Sequence, residues 1–226
     1  MFNATRLKVR FRESLPPRTL PKHVRKLCLG IVENTHPAWN VVCNRELIYP
    51  RLHYRLPGRD AFYFLGVGKR GSQAITALIE AFQNTETLVL GNQRLTLRGV
   101  EMEPMKFDLQ VSSRLFSYVL RSPMHLFSQA QRFKERTGDL VRDYETAFTR
   151  HLAWLFQQFG VEPQGNFRVH FRDILENNLP LMPERIPSPA MVKGRIITNV
   201  ALPPAVGHGT GLGWGNITRV NTHSPA

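Results

Sequence analysis

Apolar and polar positions along this chain change period several times, and each change predicts an element. From Leu7 to Arg12, Leu7, Val9 and Phe11 alternate with Lys8, Arg10 and Arg12, the pattern of a half-buried strand with a basic outer face. Leu15-Pro16-Pro17 ends it. Leu20, Val24, Leu27 and Ile31 then recur at helical spacing, with Thr19 as the expected cap and Pro21 in the first turn. Lys22, His23, Arg25 and Lys26 lie on or near the opposite face. Asn34-Thr35-His36-Pro37 stops that helix, because the residue before proline avoids the helical region. Leu47 to Leu56 and Ala61 to Val67 read as strands around a Pro57-Gly58-Arg59-Asp60 turn. Gly68-Lys69-Arg70-Gly71 reads as a short basic connection, and Ser72 as the cap of a helix carrying Ile75, Leu78, Ile79 and Phe82. Thr87 to Leu90 and Arg94 to Met102, turned at Gly91-Asn92, add another strand or hairpin. The resulting order, β-α-β-β-α-β, is the ferredoxin-like unit, whose sheet carries helices on one face and leaves the other open to a partner.

Past Pro104 the order resembles a degraded second copy. Phe107 to Leu120 is strand-rich, Ser122-Pro123 interrupts it, and Leu126 to Arg136 reads as a short helix. Asp139 to Phe159 carries the strongest helical stripe, Leu140, Tyr144, Phe148, Leu152, Leu155 and Phe159, with Gly160 to terminate it. Phe167, Val169 and Phe171 alternate with Arg168, His170 and Arg172; Asn177 to Pro189 is a proline-rich loop or hairpin tip; Met191 to Leu202 is the last long strand. The expected fold class is α+β, two tandem ferredoxin-like (βαββαβ) domains over 1–103 and 104–226. Residues 207–215 then place glycine at every second position: Gly207, Gly209, Gly211, Gly213 and Gly215, around His208, Thr210, Leu212 and Trp214. Glycine lets another backbone approach closely, and successive N–H groups in such a loop suit phosphate oxygens. Too few residues follow for a helix that closes a dinucleotide fold. Leu212, Trp214 and Ile217 are poor residues for a floppy tail, so a structured loop gripping a polyanion is the favoured reading.

Charge sharpens that reading. The 226 residues hold 30 Lys+Arg against 17 Asp+Glu, a formal charge of +13, which points to nucleic acid or an anionic membrane surface. No apolar run approaches the ~20 residues of a membrane span, and no signal peptide opens the chain, so no membrane partner is expected. Two cysteines, Cys28 and Cys43, fit a reducing cytoplasm. No His/Cys set has metal-ligand spacing, so neither a metal nor a cofactor is expected.

Four segments, in order, carry a resemblance to a known family: Leu20-Pro21-Lys22; Tyr49-Pro50-Arg51-Leu52-His53-Tyr54-Arg55; Tyr118-Val119-Leu120-Arg121-Ser122-Pro123; and Thr198-Asn199-Val200-Ala201-Leu202-Pro203 with Val206-Gly207-His208-Gly209. Together they resemble the CRISPR repeat-RNA-processing endoribonucleases of the repeat-associated mysterious protein (RAMP) superfamily. The resemblance implies two ferredoxin-like domains, RNA binding, and metal-independent cleavage of the CRISPR precursor transcript. Two departures stand out: Thr210 occupies a position where a lysine is often found, and 35–44 holds one histidine, His36, where many relatives carry two.

RNA carries its own nucleophile, the 2′-hydroxyl. A cleaving protein must take that proton, stabilise charge on the phosphorane and protonate the 5′-oxygen, leaving 5′-hydroxyl and 2′,3′-cyclic phosphate ends. Histidine can move the protons and lysine or arginine can stabilise the charge. His36 is the first catalytic candidate, in the irregular connection where the family often places its base; the alternative is a turn histidine ahead of Pro37. His23, among cations, is the second. Tyr54 is a candidate to orient the phosphate, with core packing as its alternative. His53 faces RNA or packs. His151 reads as a buried-edge histidine, and His125, His170 and His223 give no catalytic signal. The expected RNA-binding set is Lys22, Arg25, Lys26, Arg51, His53, Arg55, Lys69, Arg70, Gly207, His208, Gly209, Gly211, Gly213 and Trp214. A rival reading is a guide-RNA-holding subunit of a larger CRISPR effector complex, with little or no nuclease activity.

Overall fold

The alternation at the start of the chain forms β1 (Phe2–Phe11), the middle strand of an antiparallel sheet. In the computed structural model, which describes residues 1–43, 49–55, 57–85, 87–126, 139–178, 190–208, 210–212 and 215–220, this is one of two antiparallel sheets in a mixed α+β protein. The chain divides into two compact units, one built on Met1–Phe107 with Gly211–Gly213 and the other on Asp108–Thr210 with Trp214–Ala226.

In the first unit β1 is followed by α1 (Pro21–Ile31), α2 (Trp39–Val42), β2 (Leu52–Tyr54), β3 (Ala61–Val67), α3 (Gly68–Gln83), β4 (Thr87–Leu90) and β5 (Gln93–Phe107). The sheet order is β2-β3-β1-β5-β4. β1 pairs with β3 from Ala4↔Val67 to Arg10↔Ala61, and with β5 from Phe2↔Phe107 onward. β5 therefore runs in the first sheet to Phe107. Leu7, Val9, Phe62 and Phe64 of the sheet meet Val24 and Cys28 of α1 and Ile75, Leu78 and Phe82 of α3 in one core; each large side chain so buried contributes roughly 1.5–3 kcal/mol.

Several helix starts and strand faces differ from expectation. Thr19 does not cap α1: its hydroxyl donates to Pro16 O at 2.6 Å, closing a turn, and the N-cap is Leu20. Gly68-Lys69-Arg70-Gly71 is no connection but the first turn of α3, and Ser72 lies inside the helix, 3.1 Å from the Thr5 hydroxyl. Gly71 is what lets α3 begin there, since a Cβ on it would lie 2.4 Å from Arg51 O. The basic face of β1 is not bare. Arg6 reaches Glu103 at 2.8 Å, and Glu101 takes Arg10 at 2.6 Å and Lys8 at 3.8 Å. These exposed pairs add little stability, but their two carboxylates offset two of the strand's three paired cations.

The second unit holds β6 (Gln110–Leu120), α4 (Leu140–Phe159), β7 (Val169–Asn178), β8 (Ala190–Ala201) and β9 (Ile217–Val220), in the sheet order β7-β8-β6-β9, and a 3-10 turn (Thr210–Leu212) lies between β8 and β9 in the chain. Asp139 caps α4 by accepting from Arg142 N–H at 3.1 Å, and Gly160 ends it at φ 63°. Tyr144 and Phe148 pack on Phe171 of β7. Among the described residues this sheet carries one helix; all but Leu126 of the expected Leu126–Arg136 helix lies outside them. β9 was not expected: the residues after the glycine-rich stretch return to pair with β6, from Leu120↔Ile217 to Ser117↔Val220. No helix among the described residues is long and apolar enough to cross a membrane.

Candidate nucleic-acid interface

α1 begins without an acid in its first turn. Its third helical position is His23, whose Nδ1 accepts from Leu20 N–H at 3.2 Å, the part a glutamate plays in a capping box. An Nδ1 that accepts places the proton of the neutral ring on Nε2. Lys22, His23 and Lys26 are exposed. Arg25 is a correction: it is half-buried, and Nη2 donates to Cys43 O, so it ties α1 to the end of α2. α3 starts in the same way as α1, with no acid in its first turn and exposed Lys69 and Arg70 within it. In both helices cations sit at the positive end of the macrodipole, which disfavours the free helix and favours a bound anion.

His36 lies half-exposed in the turn between α1 and α2. Its backbone N–H donates to Glu33 O at 3.0 Å and its carbonyl accepts from Trp39 N–H at 2.8 Å. Its Nδ1 accepts from Ala38 N–H at 3.1 Å, so the ring is held and its proton lies on Nε2. No partner for Nε2 is found among the described residues.

The strand that follows overturns two expectations. Every residue of β2 is buried. His53 donates Nε2–H to Pro50 O at 2.8 Å and packs 5.1 Å from the Tyr49 ring; burial pushes its pKa down to about 3. Tyr54 is buried and its hydroxyl donates to Val42 O at 2.8 Å, with burial holding its pKa well above the ordinary value. Neither side chain meets solvent, so neither reaches RNA from this strand. Arg51 and Arg55 are half-buried at its two ends, and burial lowers the Arg55 pKa.

In the second unit the glycine-rich stretch turns its stem inward. Gly207 N–H donates to His151 Nε2 on α4 at 2.7 Å, and His208 N–H to His125 O at 2.7 Å. Gly215 N–H donates to Pro123 O at 2.8 Å, and Asn216 N–H to the Ser122 hydroxyl at 2.9 Å. The Ser122-Pro123 segment is thus the dock for the stem. Gly215 (φ 63°) could not carry a side chain, since a Cβ there would lie 1.7 Å from Val206 O. These N–H groups are engaged within the unit and form no phosphate cradle. The rings of His125 and His151 lie 5.7 and 5.9 Å from that of His208. Burial pushes the His151 pKa down to about 3, and partial burial lowers that of His208. Gly211 is buried in the 3-10 turn, and Gly209, Gly213 and Trp214 lie outside the described residues. No group of three or more His, Cys, Asp or Glu among the described residues is placed to hold a metal ion.

Sequence reasoning missed Arg18, which takes φ 62° beside the start of α1, and the latch made by His125 and His151. A left-handed arginine has no sequence signature, and His151 was legible only as part of an apolar stripe.

No family model matches the sequence, and no curated protein matches it. Solved structures do. A crystal structure of Cas6b aligns with a TM-score of 0.71 at 11% identity, covering 96% of this chain and 100% of that one. A structure of the CRISPR RNA processing endoribonuclease Cas6b aligns at 0.62 with 12% identity over 96% of this chain and 100% of that one. A RAMP protein binding different RNA substrates aligns at 0.55 with 14% identity over the same shares. At these identities the likeness is one of fold, and it spans the whole architecture: this chain has the fold of the Cas6 and RAMP structures.

Proposed function

We propose that this protein is an endoribonuclease that binds CRISPR repeat RNA and cleaves it without metal. The adjacent 2′-hydroxyl is the nucleophile, and the products carry 5′-hydroxyl and 2′,3′-cyclic phosphate ends. The observation that carries this reading is His36: a half-exposed imidazole fixed by Ala38 N–H, with Nε2 available, in a unit whose helices α1 and α3 begin with cations. The fold supports the choice of RNA, since proteins of this fold include a CRISPR RNA processing endoribonuclease and an RNA-binding RAMP protein.

In the observed orientation His36 is a donor. Nε2–H stabilises charge developing on a phosphoryl oxygen, while one water takes the 2′-hydroxyl proton as that oxygen attacks phosphorus and another protonates the departing 5′-oxygen. Lys22, Lys26 and Lys69 hold the backbone phosphates. Labelled repeat RNA incubated with the protein in EDTA tests this. The expected result is cleavage at one position, abolished by a 2′-deoxy residue there and slowed about 10²–10³-fold by His36→Ala, the usual effect of losing one charge-stabilising donor. Tight binding with the RNA left intact contradicts it and makes the protein a guide-holding subunit.

A further inference from the structure

The first unit carries a cleft of which the proposed function uses one residue, Lys26. The Pro16–Thr19 turn, the first two turns of α1 and the β4–β5 turn enclose about 670 Å³, within the ~300–1,000 Å³ range of small-molecule sites. Its wall has two chemistries. Arg18, His23 and Lys26 supply cations and donors, and no carboxylate lines the cleft. Leu27, Val89 and Leu90 supply an apolar surface, and Val89 is left 62% exposed. Arg18 is held in the left-handed region, φ 62°, by a turn that Thr19 closes twice onto Pro16 O, through its N–H at 3.2 Å and its hydroxyl at 2.6 Å. A side chain is disfavoured there, and a glycine would relieve the strain while losing the guanidinium. His23 keeps Nε2–H as a donor because Nδ1 caps α1.

We propose that this cleft takes one nucleotide of a bound RNA strand, its base against Val89 and Leu27 and its phosphate on Arg18, His23 and Lys26. This rests on the reading that the protein binds RNA, and it makes His23 a binding residue rather than the group that moves protons. An exposed apolar surface beside cations is what a base and its phosphate require, since any base offers a face to stack or pack.

The double variant Arg18→Gly/Val89→Asp tests it. Both side chains are exposed, and glycine accepts the backbone at 18, so thermal unfolding stays within about 2 °C of wild type, within the range of surface substitutions. Anisotropy of fluorescein-labelled repeat RNA reads the Kd, and single-turnover cleavage at saturating protein reads the chemistry. The expected result is a Kd at least about tenfold weaker, in line with losing one base contact, with the saturated cleavage rate unchanged. Wild type that binds RNA alongside a double variant within twofold of it overturns the cleft and leaves the enzyme reading standing. Wild type that binds no RNA overturns both. Should the double variant unfold, Arg18→Gly alone carries the same test, with an equal Kd for variant and wild type as the contrary result.

Discussion

α1 and α4 are both amphipathic helices with one face in a core, and they begin differently, α4 setting acids beside its one first-turn cation, Arg142. α4 has an aspartate cap, a side chain-to-backbone hydrogen bond from it, and Asp143 in its first turn. α1 has no acid there and carries Lys22 and His23; α3 repeats this with Lys69 and Arg70. A helix start shaped for stability alone looks like that of α4, since each charge set against the dipole costs roughly 0.3–1 kcal/mol. The glycine stem belongs with α4 in this respect: four of its backbone donors are engaged by the unit's own groups. Donors satisfied internally leave nothing for a ligand. Cations at a positive helix end leave a demand that an external anion meets.

The largest expected effect tests the satisfied side of this contrast. Gly215→Ala forces a Cβ onto Val206 O at a position with positive φ, and strain plus overpacking together cost about 3 kcal/mol. The midpoint of denaturant unfolding measures it; an unchanged midpoint means the stem is not latched as described.

A pH series comes next. His53 and His151 both have pKa values near 3 because they are buried, below the ordinary ~6.5 of the unfolded chain. Between those values the unfolded state binds more protons, so their contribution is full above pH ~6.5 and is lost as pH falls toward 3. Each histidine adds up to about 1.4 kcal/mol per pH unit to that slope. His53→Gln should remove one share while its amide still donates to Pro50 O; an unaltered slope would show that His53 titrates like a surface residue.

The smallest expected effect lies on the cationic side. Lys69→Glu places an acid in the first turn of α3 and should raise the stability of the free protein by roughly 0.5–1 kcal/mol, read as a higher unfolding midpoint, while weakening RNA binding. Lower stability would remove the case that Lys69 is held against the dipole for a ligand.

The sequence made some of this legible. β4 and α4 follow their hydrophobic periods because each sets one clean face against a core, α4 also shows its cap and its terminating glycine, and β3 is legible as a short apolar run buried on both faces. β2 misled because alternation reveals two faces without revealing what covers the second; here Tyr49 and the Pro50 carbonyl do, and His53 and Tyr54 vanish into the interior. Arg25 misled because its long side chain turns inward from a helix whose neighbours face water. The alternating glycines announced a close backbone approach, and at Gly215 the backbone that approaches is the protein's own. α2 and β9, each four residues long, are too short for a period to emerge.

The most direct test of the contrast is the salt dependence of RNA binding. Log Kd against log salt is measured for wild type, for Lys22→Ser/Lys69→Ser, and for Lys193→Ser on β8 in the second unit. If the helix starts of the first unit hold phosphates, the double variant lowers the slope by about 1.4, some 0.7 per contact with a single strand, and Lys193→Ser leaves it unchanged. Equal slopes for the double variant and wild type would contradict the account.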